Sequence, residues 1–251
     1  MPKIAQTDAS GSPLIGTVMT LPGVITAELV AETLDVVWID LEHAALGMDT
    51  VAEMILGVQA ADCLAFVRLP SDDFGRMKIS LDAGADGVVL ADVRTAATVQ
   101  IALRHMAHPP TGERGWGPRR LSTKNRHLDP RTAKPQLWVQ IESAAGVEAA
   151  HDIASVDGVD MVVIGSADLS FNLGVPLQMT SPVLLDAIDA VRAAVATTDA
   201  RFGLAGPVDG LSPSALRGAE ALVHSTDARL LAGAMDSMAV SMRARAQSAA
   251  V

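Results

Sequence analysis

Short apolar runs alternate with longer segments of helical periodicity along the chain. Most of these runs are nearly continuous in apolar residues, as is typical of parallel strands that are covered on both faces. The alternation predicts repeated βα units, so the expected fold is an α/β protein of the (β/α)₈ type, the TIM barrel. The eight predicted strands are Leu14–Met19, Val36–Leu41, Leu64–Leu69, Gly87–Leu90, Gln136–Ile141, Met161–Ile164, Phe202–Ala205 and Ala221–His224.

The segments between the predicted strands carry apolar residues at helical spacing. After the third strand, Phe74, Met77 and Leu81 fall at i, i+3 and i+7, and Gly84 follows as a stop signal. A long last helix is predicted at about 227–247, with apolar residues along one side. These helices fill the gaps between strands that the barrel requires.

One stretch, at about 109–135, does not fit the repeat. It holds Gly, Pro, Arg and Asn with little apolar periodicity, and it is too long for an ordinary connection. Long ordered loops on barrels often carry function, but a disordered surface insertion has the same composition. We interpret residues 1–251 as a single barrel domain with this loop insertion, because the length is usual for a complete barrel.

Composition narrows the class of protein. Hydrophobic residues make up 49% of the chain, but with four Phe, three Trp and no Tyr we expect an aliphatic core. The net charge is −10 and the densest basic cluster lies in the insertion, which argues against a nucleic-acid partner. Cys63 is the single cysteine, so no intramolecular disulfide can form. Nothing resembles a signal peptide or a membrane span of ~20 residues, so we expect a soluble, cytoplasmic protein without a membrane partner.

Candidate chemistry is concentrated where the predicted strands end, because barrel active sites lie at the carboxyl ends of their strands. The polar residues in these places are Asp40, Glu42 and His43 after the second strand, Arg68 in the third, Glu142 after the fifth, and Ser166 and Asp168 after the sixth.

Glu142 and Asp168 follow consecutive apolar strands, so we expect their side chains to be neighbours. Two converging carboxylates repel each other unless a positive charge lies between them. Oxygen ligands without cysteine or a histidine pair favour a hard divalent cation, and few protein ligands leave positions open for substrate. Helix capping by both residues explains the same positions equally well.

Two further features suit a carbonyl substrate. Asp40 near His43 has the arrangement of a general base held by a carboxylate, although a capping Asp and a loop His would look the same. Arg68 ends a buried strand and is suited to a carboxylate or an enolate oxygen, or to a salt bridge with Asp40 or Glu42.

Other residues give weaker or negative signals. The segment Gly165–Ala167 can bring backbone amides close to a substrate carboxylate, or simply form a tight turn. No lysine ends a predicted strand, so a Schiff-base mechanism is not expected. The histidines without metal-ligand spacing, assigned to the surface or the core, are His105, His108, His127, His151 and His224.

Several motifs together resemble one known family. The segments VVWIDLEHA, FVRLP, LDAGADGVVLADVRTA, VQIESAAGVEAAHDIASVDGVDMVVIGSADLS and GERGWGPRR, in this order and spacing, are similar to the HpcH/HpaI aldolase family of metal-dependent class II pyruvate aldolases. The likeness covers roughly residues 12–245 and is densest at 35–92 and 138–174.

The resemblance implies a barrel in which Glu142 and Asp168 hold a divalent cation (Mg²⁺, Mn²⁺ or Co²⁺), and in which His43 with Asp40 is the catalytic base. The resemblance leaves the role of Glu42 open, and we interpret this residue as one that supports the site without contacting the substrate. A homo-oligomer is also implied, a hexamer that is a trimer of dimers with exchanged C-terminal helices, and the GERGWGPRR loop would lie over the active site. The residues that would bind substrate are Arg68, at its keto oxygen, and Gln140, Gly165, Ser166 and Ala167.

The implied reaction is that of a carbon–carbon lyase, an aldehyde-lyase. It reversibly joins the enolate of a 2-oxo acid, such as pyruvate or hydroxypyruvate, to an aldehyde. Leu41 stands where the family usually has Gly, and Ser166 where it usually has Pro; neither change removes a catalytic group, but both can reshape the pocket. The alternatives are an acyl-CoA lyase of the citrate lyase β-subunit type and a non-catalytic barrel with a binding or assembly role.

Overall fold

The computed structural model, which describes residues 12–117 and 134–248, is a closed barrel of eight parallel strands. Each strand pairs with the next along the chain and β8 pairs with β1, so the predicted (β/α)₈ architecture is confirmed. The strands are β1 (Leu14–Met19), β2 (Val36–Asp40), β3 (Leu64–Pro70), β4 (Gly87–Ala91), β5 (Gln136–Ile141), β6 (Met161–Gly165), β7 (Arg201–Gly206) and β8 (Ala221–Thr226).

Helices cover the outside of the barrel. Gly84 ends α3 in the left-handed conformation (φ 97°), as its position in the sequence predicts. Between β7 and β8 there is a short 3₁₀ helix, Val208–Gly210. Among the described residues, no helix has both the length and the apolar character needed to cross a membrane. The α-helices are α1 (Val24–Ala31), α2 (Met48–Ala60), α3 (Phe74–Ala83), α4 (Ala96–Met106), α5 (Ala144–Glu148), α6 (Ala150–Ala154), α7 (Ser166–Asn172), α8 (Pro182–Val195) and α9 (Asp227–Ser248).

The inside of the barrel is filled by side chains that alternate with outward-facing ones along each strand. Trp38, Phe66 and Trp138 are fully buried there. The ring centroids of the two tryptophans lie 6.0 Å apart, and those of Phe66 and Trp138 lie 4.4 Å apart. The layer between strands and helices is mostly aliphatic, as expected, but these three aromatic side chains plug the barrel itself.

The described beginning of the insertion lies at the amino-terminal end of the strands. Arg114 is buried, its guanidinium lies 2.5 Å from the Asp82 carboxylate near the end of α3, and its N–H donates to Ala107 just after α4. Helices of a barrel run back along the strands, so their ends lie opposite the strands' carboxyl ends. Within one chain, residues 112–117 therefore lie away from the carboxyl ends of the strands. The expectation that the GERGWGPRR loop lies over an active site was made for the assembled homo-oligomer, and it stays a prediction. The remaining three residues of this loop, and the insertion through residue 133, lie outside the described residues.

The long last helix, α9, is confirmed, but the other described residues leave most of it uncovered. Its first residue, Asp227, accepts hydrogen bonds from the N–H groups of Thr20 and Leu21 and so fixes the helix to the end of β1. Asp227 is also the one buried residue among those described in α9. The large apolar side chains exposed along the helix are Leu230, Leu231, Met235, Met238, Val240 and Met242.

Candidate active site

At a similar depth of the barrel, the inward-facing positions of four strands change from large apolar residues to a polar residue or to glycine. Side chains of a strand point to the same face at every second residue. The buried aromatic residues of β2, β3 and β5 are each followed, two residues later, by a polar one: Asp40, Arg68 and Gln140. Gly165 holds the equivalent position in β6, two residues after the buried Val163. The mouth of the barrel above the aromatic plug is therefore lined by polar groups.

Arg68 and Asp40 form a buried bidentate ion pair. They lie directly opposite each other in the register of β2 and β3. Arg68 Nε donates to Asp40 Oδ1 at 3.0 Å and Nη2 to Oδ2 at 2.8 Å. Burial opposes the positive charge, but the hydrogen bond to Asp40 and its charge hold the pKa of Arg68 above its usual value. The guanidinium is thus fixed and permanently charged at the cavity wall.

His43 lies beside Glu42 and not beside Asp40. Its Nε2 is 3.6 Å from Glu42 Oε2, which also lies 3.4 Å from Arg68 Nε. Burial raises the pKa of Glu42, although the charges of Arg68 and His43 oppose that shift. Both Asp40 oxygens are engaged, by Arg68 and by the Glu42 N–H. The expected Asp40–His43 dyad is therefore corrected: the carboxylate next to His43 belongs to Glu42.

Glu142 is a buried carboxyl group close to other carboxylates. It is 7% exposed, and its Oε2 accepts a hydrogen bond of 2.6 Å from Gln140 Nε2. Burial, and then the negative charges of Glu42 and Asp168, raise the pKa of Glu142 to about 8. In the absence of a cation this group keeps its proton at neutral pH, so the site favours a positive charge beside Glu142.

The absence of a side chain at Gly165 makes room for this carboxyl group. A Cβ at position 165 would lie 2.5 Å from Glu142 Oε2, and it would also collide with Gln140 Nε2. Glycine is therefore the residue that lets β6 pass so close to the end of β5.

Helix capping does not account for the two acidic residues. The cap of α5 is Ser143, whose hydroxyl accepts the N–H of Gly146, so Glu142 is not needed for that role. Asp168 lies in the first turn of α7, where no side chain makes a capping hydrogen bond in the described structure. In the described residues no group of three or more His, Cys, Asp or Glu is arranged to hold a metal ion.

The two departures from the family pattern do not enter the cavity. Leu41 is buried in the layer between strands and helices. Ser166 is fully buried, and its hydroxyl donates to the carbonyl of Ala205 in β7 at 2.8 Å. Gly206, with φ 111°, leaves the space beside this turn open, because a Cβ there would lie 2.7 Å from Ser166 Oγ and 3.4 Å from the Ala167 amide nitrogen.

A cavity of about 580 Å³ occupies the mouth of the barrel. Several residues predicted from the sequence line it together; they are His43, Arg68, Gln140, Gly165, Ala167 and Asp168. Asp40, Glu42, Glu142 and Ser166 are not part of this lining, and they contact the lining residues instead.

Sequence reasoning missed the β7–β8 side of the same cavity. His224, which was assigned to the surface or the core, lines it together with Asp209 and Arg229. The signal was present, because His224 ends the predicted strand Ala221–His224 and strand ends are where active-site residues lie. Asp209 and Arg229 gave no such signal, since neither belongs to a predicted strand.

Comparison with known proteins places these features in one group. The family model described as HpcH/HpaI aldolase/citrate lyase matches residues 23–220. A 4-hydroxy-2-oxovalerate aldolase of Rhodococcus jostii is 35% identical over 89% of both chains, and a hydroxypyruvate/pyruvate aldolase of Rhizorhabdus wittichii is 32% identical over 77% of this chain and 79% of the relative. The crystal structure of an HpcH/HpaI aldolase/citrate lyase family protein from Burkholderia cenocepacia superposes with a TM-score of 0.84 at 28% identity, covering 92% of this chain and 95% of that one.

Proposed function

This chain belongs to the HpcH/HpaI aldolase/citrate lyase family, and we propose that it is a carbon–carbon lyase. Its reaction joins the enolate of a 2-oxo acid, such as pyruvate or hydroxypyruvate, to an aldehyde and also runs in reverse. One observation carries the proposal: a fixed guanidinium and a pair of carboxyl groups meet at the mouth of one barrel, at Arg68, Glu142 and Asp168. The names of the relatives, which are oxo-acid aldolases, support the same reaction class.

Glu142 and Asp168 are the proposed ligands of a divalent cation, Mg²⁺, Mn²⁺ or Co²⁺. Their oxygen atoms match the preference of hard cations. The raised pKa of Glu142 supports this assignment, since a bound cation offsets the charge repulsion that raises it. Gln140 Oε1 is buried without a hydrogen-bond partner among the described residues, so the site also has an unused oxygen beside Glu142. When bound, the cation supplies a Lewis acid that polarises the keto group.

Arg68 is proposed to bind the keto oxygen of the oxo acid. Its charge stabilises the negative charge that develops on this oxygen when the neighbouring carbon loses a proton. Asp40 acts through Arg68, because the bidentate ion pair holds the guanidinium in place. The backbone of Gly165, Ser166 and Ala167 is proposed to bind the substrate carboxylate, in the space that Gly206 leaves open.

His43 is proposed to move the proton. It lines the cavity, and its side chain is 62% exposed, so it can exchange protons with solvent. Glu42 is proposed to orient the imidazole ring, because its Oε2 lies 3.6 Å from Nε2. In the addition direction His43 takes the proton from the carbon next to the keto group. In the cleavage direction His43 returns a proton to that carbon.

Deuterium exchange at the pyruvate methyl group tests the proposal without knowledge of the aldehyde. With Mn²⁺ present, NMR should show exchange catalysed by the wild-type protein, and EDTA should abolish it. Glu142→Ala and Asp168→Ala should lose exchange while remaining folded by circular dichroism. Asp152→Ala is the matched control, because the Asp152 side chain is 81% exposed and outside the cavity.

Exchange at the wild-type rate in either site variant would overturn the metal assignment. Exchange at the methyl group of acetyl-CoA, with none at pyruvate, would favour an acyl-CoA lyase instead. The absence of any exchange and of any cation binding would favour a non-catalytic barrel.

We also propose that the chain works as a homo-oligomer, with a hexamer as the expected size. The support is α9, whose large apolar side chains are exposed in the single chain, together with exposed apolar residues of α1. Ile25 and Leu29 of α1 are 69% and 62% exposed and lie one helical turn apart. In a symmetric pair of chains, the apolar side of α9 in each chain can cover the apolar stripe on α1 of the other.

A further inference from the structure

The two proposed metal ligands lie on different elements of the barrel. Glu142 directly follows β5, and Asp168 lies in the first turn of α7, which follows β6. The last paired residues of these two strands are Ile141 and Ile164, so both carboxylates lie beyond the paired part of the strands. A cation site requires each ligand distance to be correct within ~0.2 Å. Contacts outside the strand ladder must therefore set the spacing of the two carboxylates.

Asn172 joins the segments that carry the two ligands. Its Oδ1 accepts a hydrogen bond of 2.8 Å from the N–H of Ala144. Ala144 is the first residue of α5 and lies two positions after Glu142, so its N–H has no acceptor within the helix. Asn172 is the last residue of α7 and lies four positions after Asp168, on the same side of the helix. Among the described residues, this is the one hydrogen bond between residues 142–149 and α7.

The other contacts of these two segments do not connect them. The Ser166 hydroxyl donates to the Ala205 carbonyl, which ties the start of α7 to β7. Glu142 accepts its hydrogen bond from Gln140, so this contact stays at the end of β5. Neither contact reaches from the end of β5 to α7. The hydrogen bond of Asn172 therefore has a distinct role, because it spans the space between the two carboxylates.

We propose that Asn172 is a positioning residue, which holds Glu142 and Asp168 at the spacing that the cation requires without contacting the cation itself. The inference rests on the proposed function, because it needs the cation to bind at these two carboxyl groups. The simpler interpretation is that Asn172 only caps α5. A cap contributes to the stability of the fold, whereas a positioning residue also changes the cation affinity of the folded protein. The two roles therefore differ in a measurable quantity.

Two substitutions remove the hydrogen bond from opposite sides. Asn172→Ala removes the acceptor, and because Asn172 is exposed, this variant should still fold. Ala144→Pro removes the donor, because proline has no N–H and suits the first position of a helix. Ser143, which precedes it, already has the extended backbone that a residue before proline adopts (φ −140°, ψ 156°). Each variant should bind Mn²⁺ about tenfold more weakly than the wild-type protein in isothermal titration calorimetry, which is the smaller end of the effect of residues that orient metal ligands.

Three further variants test the cause of this loss. Asn172→Asp keeps an acceptor for the same N–H, so it should bind Mn²⁺ at least as tightly as the wild-type protein. Asn172→Ala/Ala144→Pro should bind no more weakly than the weaker single variant, because both substitutions remove the same hydrogen bond. Gln178→Ala is the matched control: it removes an exposed amide side chain that makes no hydrogen bond with residues 12–117 or 134–248, and it should keep the wild-type affinity.

Wild-type Mn²⁺ affinity in Asn172→Ala or in Ala144→Pro, or additive losses in the double variant, would overturn the positioning role. If the wild-type protein then still catalyses exchange at the pyruvate methyl group, the proposed function stands without it. If the wild-type protein binds no Mn²⁺, or if Glu142→Ala binds it equally well, the metal assignment fails and the positioning role fails with it. Circular dichroism of each variant checks that the affinities compare folded proteins.

Discussion

Gly165 lies where any side chain would disturb the proposed metal ligands. A Cβ at this position approaches Glu142 Oε2 to 2.5 Å, and Glu142 is held there by Gln140. Glu142 Oε2 and Gln140 Nε2 are the ends of flexible side chains next to the cavity, so these side chains would move aside and the strand would stay in place. We therefore expect Gly165→Ala to displace Glu142 and to weaken Mn²⁺ binding about tenfold or more, which is ~1.4 kcal/mol, as measured by isothermal titration calorimetry.

Gly75→Ala in α3 is the matched control for this substitution. A Cβ at Gly75 meets Asp73 Oδ1 at 3.7 Å, which is an ordinary contact, so neither binding nor folding should suffer. Gly165→Ala should still fold, with a loss of about 1–3 kcal/mol in the free energy of unfolding from overpacking. Wild-type Mn²⁺ affinity in Gly165→Ala would argue that Glu142 is not a ligand.

Cation binding should release a proton from Glu142. Burial and the charges of Glu42 and Asp168 raise the pKa of Glu142 to about 8, so the cation-free protein holds this proton at pH 7. The contribution of this carboxyl group to the stability of the cation-free fold is fully present below its ordinary pKa of 4.5, and it is lost progressively as the pH rises to about 8. A cation requires the carboxylate, so we expect close to one proton released per Mn²⁺ near pH 7 and almost none well above pH 8. Calorimetry in buffers of different ionisation enthalpy measures this number.

Glu42→Gln provides an internal comparison for the proton count. The charge of Glu42 is the largest cause of the raised Glu142 pKa after burial, so its removal should lower that pKa and reduce proton release near pH 7. No release in the wild-type protein, or equal release in both proteins, would show that Glu142 is already ionised before the cation binds.

The residues that face the cavity were largely predictable from the sequence, but their pairings were not. A polar residue at the end of a buried strand avoids the apolar core only if its side chain lies at the mouth of the barrel. This rule identifies Arg68 and Asp168, and it would also have identified His224. The pairing of Asp40 with Arg68 depends on the register of β2 against β3, which puts the two directly opposite. Register is a tertiary property, so the sequence alone could not decide between Arg68 and His43 as the partner of Asp40.

At the scale of elements, the ends of β2 and β3 are joined by the Asp40–Arg68 ion pair. Arg68 is only 8% exposed, so removing Asp40 leaves a buried guanidinium with Glu42 as its nearest carboxylate at 3.4 Å. We expect Asp40→Ala to lower the free energy of unfolding by about 3 kcal/mol, measured by urea denaturation. In Asp40→Ala/Arg68→Met the buried charge is gone, and most of this loss should be recovered.

The double variant distinguishes a structural partner from a catalytic base. If Asp40 mainly holds Arg68, the single variant is unstable and the double variant is not. A single variant as stable as the wild-type protein would mean that the ion pair contributes little, and that Asp40 is retained for another reason.

Strands were more predictable than the connections between them. The predicted β1 and β5 have the observed bounds, and each of the other six differs from the observed strand by one or two residues in total, because buried parallel strands are continuous apolar runs. The sequence did not predict where the insertion at about 109–135 lies on the barrel, since this stretch has no apolar periodicity that would indicate a buried face. The anchoring of Arg114 on Asp82 joins residues 32 positions apart in the chain, and no local pattern reports such a contact.

At the scale of the whole molecule, α9 is a long helix that the other described residues leave mostly exposed. It has 22 residues, a length of about 33 Å at 1.5 Å per residue, and Asp227 is the one buried residue described within it. Isolated helices in water are marginal, and most helical stability comes from packing an apolar face. Met235 and Met238 are 49% and 54% exposed in the single chain. A helix with this surface therefore calls for an apolar partner, and α1 of a second copy offers one.

Light scattering combined with size-exclusion chromatography should find an assembly, with six times the 26.0 kDa of one chain as the expected mass. Met235→Glu/Met238→Glu places two charges on the proposed contact face, and burying them without partners is costly, so this variant should dissociate to a smaller species. Ile79→Glu is the control, because Ile79 is 46% exposed on α3, away from α1 and α9. A wild-type protein of 26.0 kDa at micromolar concentration, or a double variant with the wild-type mass, would require α9 to be stabilised by something other than a copy of this chain.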